Sequence, residues 1–87
     1  MYIWVVRDGF GEDIDYFTTA EGAYSYMESE LNRWSIEYPL DIPDSLAYTF
    51  KKRLYNEFKE NSSRFEVGDL DTTMDWFLKA IRVEVKE

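Results

Sequence analysis

Glu12, Asp13 and Asp15 place three carboxylates within four residues of one another. On an extended chain Asp13 and Asp15 fall on the same face, roughly 6.6 Å apart by the rise per residue. Carboxylates so spaced can share acid and base roles, as glycoside hydrolysis requires, or hold a divalent ion weakly. Glycoside chemistry also needs a cleft that encloses a sugar, and an 87-residue two-layer domain offers little of one. Two plainer roles suit the same trio. It can be a solvated hairpin edge that resists edge-to-edge pairing, or an anionic display toward a basic partner.

A second acidic stretch invites two further readings. Asp69-Leu70-Asp71-Thr72-Thr73 matches the Asp-x-Asp-x-Thr pattern of haloacid-dehalogenase-like nucleophiles. That chemistry needs a parallel, doubly wound sheet with a lysine and an acidic pair from later strands. Only fourteen residues follow Thr73, so the match is taken as accidental. Asp69, Asp71, Thr73 and Asp75 also begin like a calcium loop. The required glycine is Met74 and the closing glutamate is Ala80, which excludes an EF-hand.

The chain has no histidine and no cysteine. Proton transfer near neutral pH loses its commonest agent, and metals lose their commonest ligand. Ser-His-Asp and Cys-His catalysis, disulfides and thiolate zinc sites are all excluded. No catalytic residue, metal ligand or cofactor loop is assigned, and the chain is expected not to be an enzyme. Met1–Val6 is apolar for six residues before Arg7 and Asp8, which fits neither a signal peptide nor a membrane span. A cytoplasmic protein is expected. There Asn61-Ser62-Ser63 is a polar loop and not a glycosylation site.

The net charge of −8 is unevenly distributed. Residues 1–50 hold ten acids against Arg7 and Arg33, whereas residues 51–87 hold eight acids and eight bases. A field of that sign repels nucleic acid and anionic membranes and attracts basic surfaces. Aromatic residues make up 18% of the chain, more than a two-layer core needs if each ring were enclosed. Some tyrosines should therefore edge the core, or stand at the surface where a flat ring with a polar tip can anchor a partner.

These residues are positioned by six expected elements. Tyr2–Val6 is β-branched and aromatic, the glycines of Asp8-Gly9-Phe10-Gly11 supply a turn, and Ile14–Phe17 returns, so residues 2–17 read as a hairpin. Thr18 with Glu21 resembles a capping box. Behind it Ala20, Ala23, Tyr24, Met27, Leu31 and Trp34 recur at helical spacing, with Glu21, Ser25, Glu28 and Asn32 opposite. Pro39 and Pro43 bracket a loop before a second helix, Asp44 to Asn61, with Ala47, Phe50, Leu54 and Phe58 buried. Lys51, Lys52, Arg53 and Lys59 in its C-terminal half complement the helix dipole. Arg64–Val67 alternates like a strand. Residues 72–80 fit either a strand, with Lys79 as the misfit, or a helical turn capped by Thr72, while Arg82–Lys86 is a strand in both versions. The order ββααββ predicts an α+β fold, one antiparallel sheet with two helices packed on one face, in a single domain spanning 1–87.

Tyr2-Ile3-Trp4-Val5-Val6, the passage Tyr16-Phe17-Thr18-Thr19-Ala20-Glu21-Gly22-Ala23 and the closing Ala80-Ile81-Arg82-Val83-Glu84-Val85 together resemble small phage-encoded proteins. The resemblance covers the two ends and not the helix 44–61. It implies a phage or mobile-element origin, a class in which short acidic proteins inhibit host defences such as CRISPR nucleases and restriction enzymes. The function expected is a nucleic-acid mimic that docks on the basic groove of a nucleic-acid-handling host protein, without binding nucleic acid itself. The contact residues would be Glu12, Asp13, Asp15, Tyr16, Tyr26, Glu28, Glu30, Glu37 and Tyr38. An immunity-type inhibitor of a nuclease toxin and a small homo-oligomeric accessory protein, for instance a homodimer, stand as alternatives.

Overall fold

The computed structural model describes residues 1–61, 63–68 and 76–86. Strand β1 (Tyr2–Asp8) turns into β2 (Asp13–Phe17). Helices α1 (Ala20–Glu37) and α2 (Asp44–Glu60) follow, and β3 (Arg64–Gly68) and β4 (Phe77–Glu84) close the chain. The four strands form one antiparallel sheet in the order β2-β1-β4-β3. The fold is therefore α+β with the expected order ββααββ. The two ends of the chain make its centre, because β1 pairs with β4 from Tyr2↔Glu84 to Asp8↔Leu78.

Strand alternation explains why both helices lie on one face. Trp4 and Val6 of β1, Phe65 and Val67 of β3, and Leu78 and Ala80 of β4 point to the same side and are buried there. Ala23, Met27, Leu31 and Trp34 of α1 and Ala47, Phe50 and Leu54 of α2 meet them. Phe58 stacks on Tyr24 with centroids 4.6 Å apart and meets Phe65 edge-on at 5.3 Å, tying α1, α2 and β3 together. Ile42, in the loop between the prolines, is also buried (1% exposed), and its N–H donates to the Tyr38 carbonyl. Among the described residues the other face of the sheet carries no helix, and alternation places Ile3, Val5, Ile81 and Val83 on it.

Several boundaries differ from the sequence reading. The cap of α1 is Thr19, not Thr18, and its hydroxyl accepts the Gly22 N–H at 3.0 Å. Glu21 then stands one position too early to close a capping box. Helix α2 ends at Glu60, with Asn61 as its C-cap, and β3 runs on to Gly68. From Phe77 onward the ambiguous segment is strand. It stops at Glu84, so Val85 and Lys86 lie beyond it, although the Val85 N–H still donates to the Met1 carbonyl at 2.8 Å. Residues 69–75, which hold the Asp-x-Asp-x-Thr match and the start of the calcium-like pattern, lie outside the described residues, as does Ser62. Among the described residues, no helix is long and apolar enough to cross a membrane.

Candidate functional site

The first hairpin sets the geometry of the acidic cluster. Val6 pairs with Asp15 but Arg7 pairs with Asp13, so Ile14 is an extra residue on β2 and forms a β-bulge. Residues directly opposite in an antiparallel ladder share a face, and Val6 and Arg7 face opposite ways. Asp13 and Asp15 therefore occupy opposite faces. The expectation of two carboxylates side by side is corrected by this one inserted residue, and shared acid–base chemistry between them is removed with it. On the helix-free face Arg7 Nε donates to Asp13 Oδ1 at 2.6 Å, and the Tyr16 hydroxyl donates to Asp13 Oδ2 at 3.1 Å. The Arg7 hydrogen bond, aided by that from Tyr16, holds the Asp13 carboxyl below the usual aspartate range, and the same contact raises the Tyr16 phenol. Glu12 sits at the turn, its N–H donating to Asp8 Oδ1 at 3.0 Å.

On the helix side, Phe17 and Tyr26 place their rings 5.4 Å apart and bring α1 beside β2. Burial raises the Tyr26 phenol, and the neighbouring charges of Glu30 and Asp15 raise it further. Tyr26, Glu30, Arg33 and Glu37 follow at helical spacing along this flank of α1. Arg33 donates to Glu30 Oε2 at 2.5 Å and to Glu37 Oε2 at 2.7 Å, and these partners raise its pKa further. The two bases of residues 1–50, Arg7 and Arg33, are thus both bound to acids of the expected contact set. The display is less negative than a count of acids suggests.

Of the expected residues, Asp15, Tyr26, Glu30 and Glu37 lie along the α1 flank, Tyr38 caps the end of α1 with its ring against Trp76, and Asp13 and Tyr16 lie around the β2 edge on the other face. Glu28 does not join them. It turns toward α2, where the Tyr24 hydroxyl donates to its Oε2 at 3.2 Å, because it stands half a helical turn away from Tyr26 and Glu30. One turn further along α1, a groove of about 500 Å³ on the outside of the helix pair is lined by Asn32, Ser35, Ile36, Asp44, Ala47, Tyr48 and Lys51. Two hydrogen bonds cross between the helices there, Ser35 to Asp44 at 2.7 Å and Lys51 to Asn32 at 2.7 Å. Asn32 is exposed, as the wet-face reading expects, and it also accepts this hydrogen bond from α2.

Two features of the site went unread in the sequence. Glu30-Arg33-Glu37 has the i, i+3 and i, i+4 spacing of helical ion pairs, a signal that was available. Trp34, Tyr38 and Trp76 surround an open cavity of about 360 Å³ together with Arg33 at the end of the flank. Trp76 comes from a segment 38 positions beyond Tyr38, and no local pattern links them. Among the described residues no polar or charged side chain is buried, and no group of three or more acids is arranged to hold a metal ion.

No family model, curated protein or solved structure matches the chain.

Proposed function

We propose that this protein is a non-enzymatic binding protein that docks its acidic flank onto a basic surface of a larger, nucleic-acid-handling protein, as an anti-CRISPR or anti-restriction inhibitor from a phage or mobile element would. The observation that carries the reading is the alignment of Asp15, Tyr26, Glu30 and Glu37 along one side of β2 and α1, with Tyr38 at the end of the helix. There three carboxylates flank the Tyr26 ring and the Arg33 guanidinium, on elements packed against the core. Charge of this kind speeds encounter with a basic groove, and the rings supply the contacts that set the lifetime of the complex. The phage origin and the inhibitory role rest on the sequence resemblance alone.

The test is affinity capture from a host lysate with the wild type and with an Asp15→Lys, Glu30→Lys, Glu37→Lys variant, at about 50 mM and about 500 mM salt. The reading expects a nucleic-acid-handling protein retained by the wild type at low salt and lost both at high salt and with the variant. A captured protein indifferent to both changes would overturn it.

A second reading, self-association, draws on Ile36 and Leu40, exposed at 79% and 97% at the end of α1 and in the following loop, and on Tyr48, exposed at 67% across the helix groove. They lie apart from the acidic flank, so an Ile36→Ser, Leu40→Ser variant separates the two readings. It would lower the oligomeric state measured by sedimentation and leave capture of a basic partner intact.

A further inference from the structure

We infer that Trp34, Tyr38 and Trp76 form a recognition cup for an organic cation, an alkylammonium or guanidinium group presented by a small molecule or by a basic side chain of another protein. The cup goes beyond the docking reading and does not depend on it.

Three aromatic rings meet here at steep angles. Trp76 stands edge-on to Trp34 at 67° with centroids 5.3 Å apart, and is inclined at 59° to Tyr38 at 5.1 Å. At these separations the rings touch edge to face, so they brace one another, and the concavity lies beside them and not between them. The cavity they line with Arg33 is about 360 Å³ and open to solvent. That lies at the small end of ordinary ligand sites, about 300–1,000 Å³. Trp34 is anchored in the core, Trp76 is half-buried, and Tyr38 is 45% exposed, so the cup has a fixed floor and an accessible rim. Ring faces are electronegative and attract cations, tryptophan most strongly.

The field around the cup has the same sign. It lies at the C-terminal end of α1, where the helix macrodipole is negative. Helix α2 answers its own dipole with Lys59 in the last turn, but the last turn of α1 holds Glu37 and no base. Asp41 follows closely, its N–H bonded to the Tyr38 carbonyl at 3.1 Å. Among the described residues Arg33 is the one cation lining the cavity, and it is held by Glu30 and Glu37, so the trio is net negative. The described cation–π pairs, Arg53 on Phe50, Lys59 on Tyr55 and Arg82 on Tyr2, all lie elsewhere. An apolar guest would gain from the rings alone, whereas a cation gains from the rings and from this field.

The test is titration of the whole chain with choline, with its neutral isostere 3,3-dimethyl-1-butanol, and with N-acetyl-arginine amide, followed by the indole N–H resonances of Trp34 and Trp76. Sodium chloride at matching concentration controls for ionic strength. Both indole signals should shift saturably with at least one cation and at least about fivefold more weakly with the neutral alcohol. Tightest binding by choline assigns the cup to quaternary ammonium ligands, and tightest binding by the arginine amide assigns it to basic side chains. Tyr38→Leu keeps an apolar rim without the ring and should weaken cation binding about two- to fivefold, with the fold checked by circular dichroism. Equal affinity for the alcohol and both cations, no saturable indole shift, or a Tyr38→Leu variant that binds as the wild type does would overturn the inference.

Discussion

Arg7 Nε donates to Asp13 Oδ1 at 2.6 Å on the helix-free face, one residue along β1 from the point where Val6 faces Asp15 across the ladder. Ile14, the residue between the two aspartates, occupies the bulge that turns them apart. A bulge on an edge strand bends it and spoils its pairing surface. β2 is both the edge of the sheet and the start of the acidic flank, so one inserted residue protects the edge and divides its carboxylates between two surroundings.

That division has a pH signature. The Arg7 hydrogen bond, followed by that of Tyr16, lowers the Asp13 pKa below its reference value of 3.8. A carboxylate whose folded pKa is depressed adds stability above its unfolded pKa and loses it as pH falls through the folded value. The Asp13 side-chain carboxyl should thus titrate below pH 3.8 in carboxyl-detected NMR. Arg7→Met should move that midpoint upward while leaving neutral-pH stability almost unchanged, since the pair is solvent-exposed. An Asp13 midpoint unmoved by Arg7→Met would refute the pairing.

The helix start offers a discrimination between adjacent, identical residues. Thr19 caps α1 through the Gly22 N–H, and no cap bond is made by Thr18. Thr19→Ala should cost about 1 kcal/mol in chemical denaturation, and Thr18→Ala far less. Equal losses would place the cap wrongly.

Two glycines with positive φ should differ in what they tolerate. Gly11 has φ +81° and no atom within 4 Å of where a Cβ would stand, so Gly11→Ala meets only the left-handed backbone penalty, about 1–2 kcal/mol. Gly68 has φ +115°, and a Cβ there would fall 2.1 Å from the Trp76 carbonyl oxygen. Gly68→Ala should be clearly the more destabilising of the two in urea, because β3 and the start of β4 must separate to admit the methyl group. A Gly68→Ala variant as stable as Gly11→Ala would contradict this close approach.

The contrast between these positions shows what a sequence carries. Ala23, Met27, Leu31 and Trp34 repeat at helical spacing, and Phe65 and Val67 at strand spacing, so both helices and the sheet could be read from periodicity. The bulge at Ile14 could not, because a one-residue slip leaves composition and propensity unchanged while reversing which face each later side chain takes. Ile42 sits between two prolines in a loop and is buried only because the α1–α2 connection folds back over the core. The acidic residues were visible one by one. Their grouping depended on rotation about α1, which sets Glu30 and Glu37 beside Arg33 and sends Glu28 toward Tyr24.

Arg33 allows the docking proposal to be tested in a direction that loss-of-contact variants cannot. It sits among the acids of the flank and holds Glu30 and Glu37. Arg33→Gln leaves those carboxylates in place, frees them from their partner and makes the chain one unit more negative than its −8. The two exposed helical pairs it removes contribute about 0.3–0.5 kcal/mol each, so the fold should survive. If a basic groove is attracted by the flank, association should quicken about two- to threefold at low salt, and the gain should fade as salt is added. Dissociation should change little, because the tyrosine contacts remain. Surface plasmon resonance across a salt series, against the partner captured by the wild type, separates the two rates. Slower association by Arg33→Gln would mean that the guanidinium itself meets the partner and that the flank is not what a basic groove recognises.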